Sequence, residues 1–165
     1  MKRFLVLAAI CLFFSTTPPR GVAQTPASAM DAYEHVQQLR DEATNLWRKA
    51  GARREQIEQG IEVLEKQVLP YLNDPLVEEL ARGNLYLKAR RYNVFMDLAK
   101  ANAILGRDSE AIQYLRKTFA ESNSGWTARE MREQQVFDAL RQNREFKELL
   151  DKIDAKYIRA LRRSD

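Results

Sequence analysis

Apolar residues recur every three or four positions along nearly the whole chain from Tyr33 to Leu161. This period places them on one face of an α-helix, so each such stretch is expected to form an amphipathic helix. No stretch combines two-residue alternation with enrichment in β-branched residues, which is the pattern of a half-buried strand. The spacing therefore predicts an all-α fold, in which short connections join antiparallel helices.

Turn and capping residues divide this pattern into about seven helices. Gly51 is expected to end the first helix. Pro70 is expected to end the second, because proline disfavours a helical conformation in the residue before it. Asp74 is expected to cap the third helix, and Gly106 to end the fourth. The predicted helices cover approximately residues 33–50, 57–68, 75–89, 92–105, 109–119, 128–140 and 146–161.

Residues 1–23 have the three parts of a secretory signal. Lys2 and Arg3 precede the apolar run FLVLAAICLFF, and small residues lead up to Ala23, where a signal peptidase is expected to cut. We therefore predict export to the periplasm or the exterior. The small and polar residues 24–30 are expected to form a flexible leader.

Two observations argue against an anchor in the membrane. As a helix, the apolar run of residues 4–14 would span about 16 Å, which is roughly half of a bilayer core. Cys11 follows Ile10, whereas a lipoprotein signal needs a small residue at that position. Neither a permanent transmembrane segment nor a lipid anchor is expected.

The charge balance argues against a nucleic-acid partner. The chain has 27 Lys+Arg and 23 Asp+Glu. Cleavage after Ala23 would remove Lys2, Arg3 and Arg20 and no acid, which leaves 24 bases and 23 acids. A nearly neutral chain lacks the positive field that attracts phosphate backbones. It would also contain no cysteine, which suits an oxidising compartment.

Residue types that support catalysis or bind metals are scarce. One His and one Cys exclude sites that need two imidazoles or several thiolates. His35 is expected to be a solvated surface side chain. Glycosidases need two carboxylates, and Glu62/Glu65 and Glu78/Glu79 are candidate pairs, but helices rich in Glu and Lys place such pairs by chance. We therefore expect no catalytic residues, no metal and no cofactor.

The most informative stretch is YNVFMDLAKANAILGRDSEAIQYLRKTF, residues 92–119. A helix, Gly106 and a polar corner precede a second helix, which Asp108 is expected to cap. Ala99 and Ala111 are expected to allow the two backbones to approach closely where the helices cross. The bulky residues around them, Phe95, Leu98, Leu115 and Phe119, are expected to fill the remaining space.

This order of bulky, small and turn residues resembles a tetratricopeptide repeat, whose helical hairpins stack into a curved solenoid. Asn102 departs from the family pattern, which usually has a large residue there, and so does the corner Arg107-Asp108. Residues 31–70 resemble a degenerate repeat. The resemblance implies a short tetratricopeptide-like domain over residues 31–165, with its best repeat at 92–119.

Residues 135–153 resemble the segment that closes the last repeat in many bacterial tetratricopeptide proteins. Before them, Thr127 and Glu130 have the spacing of a capping box. The resemblance implies capping helices over residues 127–162, since the outer face of an end repeat would otherwise meet water. The apolar residues of this segment are Phe137, Leu140, Phe146, Leu149 and Leu150.

In tetratricopeptide proteins the first helices of successive hairpins line a concave groove, which binds an extended peptide or a partner helix. The resemblance places Asn93, Met96, Asp97, Lys100 and Ala103 on the groove side of the best repeat. A clamp for two carboxylates, which occurs in this family, is not expected because Asp97 would repel them. A protein or peptide is thus the expected partner.

Three functions stay open at this point. The first is an exported protein-binding module without catalytic activity. The second is a periplasmic hydrolase that acts on cell-wall glycan through two carboxylates. The third is a peripheral membrane module that contacts lipid head groups through Arg159, Arg162 and Arg163.

Overall fold

The computed structural model describes residues 26–48, 51–120 and 127–161, and all regular secondary structure within these ranges is helical. The predicted all-α fold is confirmed. The helices are α1 (Ala29–Asn45), α2 (Arg54–Val63), a π-helical turn (Leu64–Val68), α3 (Leu69–Leu72), α4 (Pro75–Arg82), α5 (Leu85–Ile104), α6 (Asp108–Ala120), α7 (Ala128–Glu133), a 3₁₀ helix (Gln135–Gln142) and α8 (Arg144–Leu161).

Several predictions fall outside these ranges. The signal of residues 1–23, the cysteine at position 11 and the cations Arg162 and Arg163 all lie beyond the described residues. Within the described ranges, no helix combines the length and apolar character that crossing a bilayer requires.

Helix α1 begins earlier and ends earlier than its sequence pattern predicts. The hydroxyl of Ser28 accepts a hydrogen bond of 3.1 Å from the backbone N–H of Asp31, which caps the helix. Ala29 and Met30 are therefore helical, and the predicted leader of residues 24–30 is wrong at these two positions. The helix ends at Asn45, well before Gly51, whose positive φ of 80° lies in the following turn.

The prediction that Pro70 ends the second helix is also wrong. In the π-helical turn, Leu69 donates its backbone N–H to the carbonyl of Leu64, five residues earlier. This shift of the hydrogen-bond ladder places Pro70 in the first turn of α3, where its missing N–H costs little. The helical backbone continues to Leu72. Asp74 then caps α4, as predicted, by accepting a hydrogen bond from the N–H of Leu76.

Helix α5 runs through the break that the sequence pattern places at residues 89–92. Helix α4 instead ends at Arg82, with Gly83 as its C-cap, and the side chain of Asn84 caps α5 by accepting from the N–H of Leu87 at 2.9 Å. No glycine or proline interrupts the chain between Leu85 and Ile104, so nothing stops the helix. The result is one helix of 20 residues in place of two.

Helices α5 and α6 form the predicted hairpin. Gly106 ends α5 in a left-handed conformation, with φ of 70°, and α6 starts at Asp108. Asp108 is thus the first residue of the helix, whereas it was expected to be the N-cap that precedes the helix. Ala99 and Ala111 are both fully buried in one hydrophobic cluster, as expected for a close crossing of the two helices.

The C-terminal segment folds differently from the single helix predicted for residues 128–140. The capping box is confirmed, since Thr127 and Glu130 each accept a hydrogen bond from the other's backbone N–H. However, α7 ends at Glu133, and a 3₁₀ helix follows. The apolar residues of the predicted capping segment are buried in the same cluster as Ala99: Phe137, Leu140, Phe146, Leu149 and Leu150.

Two hydrophobic clusters share α5. One is formed with α1, α2, the π-helical turn, α3 and α4, and includes Val94, Leu98 and Ala101 of α5. The other is formed with α6, α7, the 3₁₀ helix and α8, and includes Met96 and Ala99 of α5. Because it is packed on two sides, α5 forms the centre of the fold.

Candidate functional site

Polar side chains lie between α1 and α5, and we call them the α1–α5 seam: Tyr33, Gln37 and Arg40 on α1, and Arg90, Asp97 and Lys100 on α5. The guanidinium of Arg90 lies 4.2 Å from the ring centre of Tyr33 and donates a hydrogen bond to its hydroxyl. Farther along, Nε of Arg40 donates to Oδ2 of Asp97. The side chains of this ion pair are only 15% and 7% exposed.

The five residues predicted to line a groove do not share one face of α5. Met96 and Ala103 are 1% and 7% exposed and belong to the hydrophobic cluster on the α6 side. The prediction that these two side chains face an open groove is therefore wrong. Asn93 and Lys100 lie two helical turns apart and are partly exposed, with the buried Asp97 between them. These three residues share the seam side of the helix.

Three charged side chains act on Lys100 in the seam: Asp97, Arg48 and Arg40. Burial lowers the pKa of the Lys100 ammonium. The positive charges of Arg48 and Arg40 lower this pKa as well, whereas the negative charge of Asp97 raises it. Arg40, Arg48 and Lys100 are thus close enough to influence one another, and Asp97 is paired with Arg40. Asp97, which was expected to repel an anion, has its charge compensated by Arg40.

Two polar atoms of the seam are buried without a hydrogen-bond partner among the described residues. They are Oε1 of Gln37, an acceptor, and Nε of Arg90, a donor. The amide nitrogen of Gln37 donates to Asp41 at 2.6 Å, which fixes the orientation of the side chain. A buried polar group without a hydrogen-bond partner lowers the stability of the fold by about 1–3 kcal/mol. A ligand or a water molecule that supplies the missing hydrogen bond would remove this penalty at either atom.

The candidate carboxylates of a hydrolase are exposed on helix surfaces, and each is engaged. Their partners are Lys66 at 2.8 Å for Glu62, the Tyr114 hydroxyl at 2.5 Å for Glu65, Arg91 at 2.9 Å for Glu78 and Arg82 at 2.6 Å for Glu79. The exposed His35 places its ring 4.8 Å from that of Tyr71. No group of three His, Cys, Asp or Glu in the described ranges is arranged to hold a metal ion.

Two cavities open on other surfaces, and the sequence pattern gave no reason to expect either. One, of about 230 Å³, lies between α4 and α5 and has Leu72, Ala81 and Leu87 among its lining residues. The other, of about 180 Å³, lies between α6 and α8. Neither is lined by a residue of the predicted groove.

Comparisons with family models, curated proteins and solved structures gave no match to this chain.

Proposed function

We propose that this protein is an exported helical module that binds a protein partner through the α1–α5 seam and has no catalytic activity of its own. The observation that carries this proposal is the cluster of Arg40, Arg48 and Lys100 near Asp97, a carboxylate that is paired with Arg40. A carboxylate of a partner segment would be attracted to these three cations.

The energetics of Lys100 support an acidic partner. Its partly buried ammonium has lost hydration, as the lowered pKa indicates. A carboxylate from a partner would form a charge-assisted hydrogen bond there, which is stronger than one between neutral groups. Perturbed ionisable groups of this kind cluster at functional sites, although ion pairs that serve only the fold perturb pKa values too.

The partner segment is proposed to be extended. The backbone of an extended peptide presents N–H and C=O groups that its own conformation leaves unpaired. Oε1 of Gln37 and Nε of Arg90 are buried without partners among the described residues, and such a backbone could supply a donor and an acceptor to them once the side chains that cover them move aside. The tetratricopeptide-like pattern of residues 92–119 supports the same binding mode, and the signal-like residues 1–23 support export.

Binding of labelled decapeptides tests this proposal. Three peptides have the same sequence except at four positions. These positions all carry Glu in the first peptide, Gln in the second and Lys in the third. We expect the purified protein to bind the Glu peptide at least about tenfold more tightly than the Lys peptide. The variant Arg48→Glu/Lys100→Gln should lose this preference.

The control Arg129→Glu/Arg144→Gln makes the same change of charge at exposed positions on α7 and α8. It should bind the Glu peptide as the wild type does. Equal affinity for all three peptides, or equal losses in both variants, would contradict a binding role for the seam.

A further inference from the structure

The cavity between α6 and α8 is an apolar groove with a cationic rim, and we call it the α6–α8 groove. Phe119, Leu149 and Ile153 provide its apolar lining. Tyr157 lies one helical turn beyond Ile153 on the same side of α8, and it is 59% exposed. The apolar surface of the groove therefore continues along α8 toward the end of the helix.

Among the described residues, the charged side chains that line this groove are cations: Arg116, Lys152 and Lys156. Arg116 pairs with Glu145 at 2.9 Å, but both side chains are more than half exposed, so this ion pair contributes little and exchanges readily. Among the other carboxylates of α8, Asp151 and Asp154 both pair with Arg132 on α7, and Glu148 pairs with Arg144. The pKa of Glu148 is lowered mainly by its hydrogen bond with Arg144 and also by the charges of Lys152 and Arg116, so this carboxylate offsets part of the positive charge of the rim.

The dimensions of the groove suit one inserted side chain. Its volume of about 180 Å³ is smaller than the roughly 300–1,000 Å³ of common small-molecule pockets. A leucine or phenylalanine side chain of a partner would fill such a space.

We propose that the α6–α8 groove binds an acidic amphipathic helix of a partner protein, with one apolar side chain inserted against Phe119 and Ile153. Lys152 and Lys156 are separated by one helical turn, about 6 Å along the axis. Two acids four positions apart on a partner helix have the same separation and pair with both lysines. Further apolar residues of that helix cover Tyr157.

The concave shape favours a partner helix over a membrane surface. A bilayer binds apolar side chains that protrude from a protein. Of the four apolar side chains described here, Tyr157 protrudes, whereas Leu149 is buried and Phe119 and Ile153 are partly buried within the groove. This site lies on α6 and α8, away from the α1–α5 seam. The inference is independent of the function proposed for the seam.

Titration with two designed peptides tests the proposal. Both are 20-residue amphipathic helices with a leucine stripe, which is flanked by Glu in one peptide and by Lys in the other. We expect the wild-type protein to bind the Glu peptide at least about tenfold more tightly than the Lys peptide, and less tightly as NaCl is raised. The variant Lys152→Glu/Lys156→Glu should reverse the preference. Both lysines are exposed, so the variant is expected to fold.

Three controls separate the alternatives. Lys66→Glu/Lys147→Glu makes the same change of charge at exposed positions that do not line the groove, and should bind as the wild type does. The seam variant Arg48→Glu/Lys100→Gln should also retain this binding. Vesicles of phosphatidylglycerol represent the membrane alternative.

Three outcomes would overturn the proposal. The first is binding to the vesicles without binding to the Glu peptide. The second is an unchanged preference in the Lys152→Glu/Lys156→Glu variant. The third is no binding of the Glu peptide at millimolar concentration.

Discussion

Arg40 on α1 and Asp97 on α5 form an ion pair that is largely shielded from water, although 57 positions separate them in the sequence. The contact joins the N-terminal part of the chain to the central helix. Removal of one partner from such a pair leaves an uncompensated charge in a poorly hydrated place.

Replacement of Asp97 by alanine is therefore expected to lower the free energy of unfolding by about 3–5 kcal/mol. The variant Arg40→Met/Asp97→Leu should recover most of this loss, since it removes both charges. Asp138 is the matched control because its pair with Arg141 is 56% and 45% exposed, and Asp138→Ala should cost less than about 1 kcal/mol. Urea denaturation provides the measurement, and equal losses in Asp97→Ala and Asp138→Ala would contradict the prediction.

The lowered pKa of Lys100 predicts that the stability of the protein changes with pH in the alkaline range. Its pKa in the folded protein is below the ordinary value of 10.5, so between these two values the unfolded chain binds more protons than the folded one. The contribution of Lys100 to stability therefore increases as pH rises through this window. Lys100→Met should remove this increase.

The free energies of unfolding of the wild type and of Lys100→Met are compared at each pH, because other groups titrate in the same range. The pKa values of Tyr71 and Tyr114 are raised, mainly by burial. The contribution of each tyrosine to the free energy of unfolding is therefore present below about pH 10 and falls as pH rises above that value. Both proteins contain these tyrosines, so their effect cancels in the difference. If the two unfolding curves run parallel from pH 8 to 11, the prediction for Lys100 is wrong.

Gly60 on α2 lies against the ring of Trp47. A Cβ atom at this position would come within 2.2 and 2.5 Å of two ring carbons of Trp47, and within 2.8 Å of the carbonyl oxygen of Ala43. Gly60→Ala is expected to destabilise the fold by about 1–3 kcal/mol, even though alanine favours a helix over glycine by about 1 kcal/mol. Gly83 has no atom within 4 Å of a Cβ and serves as the control.

Gly83→Ala should be neutral, or should stabilise the fold by up to about 1 kcal/mol. Thermal unfolding of both variants gives the comparison. A stabilised Gly60→Ala protein would show that Trp47 moves aside without cost.

The burial of Ala99 and Ala111 predicts that the α5–α6 hairpin does not accept larger side chains. Ala99→Leu and Ala111→Leu each add volume to a filled cluster and should cost about 1–3 kcal/mol. Ala139→Leu is the control, because Ala139 is exposed on the 3₁₀ helix. If all three variants unfold at the same denaturant concentration, the helices do not approach closely at the two alanines.

Local signals in the sequence predicted the helical fold and several helix ends correctly. Asp74 and Thr127 cap helices because their side chains reach the backbone within the first turn, and Gly106 reverses the chain because its φ is positive. Pro70 failed as a stop signal because the π-helical turn before it shifts the hydrogen-bond ladder. Asn84 was the missed signal, since its cap starts α5 before the break predicted at residues 89–92.

The candidate site was harder to predict, since α5 is packed on two sides. Its apolar residues form no single stripe, so the sequence does not indicate which side is free. The pairing of Arg40 with Asp97 fixes one face of α5 against α1, and this fixed rotation places Met96 and Ala103 in the other cluster. Composition and helical period thus determined the fold class. The rotation of α5, the seam and the α6–α8 groove were decided by tertiary packing, since each depends on side chains far apart in the chain.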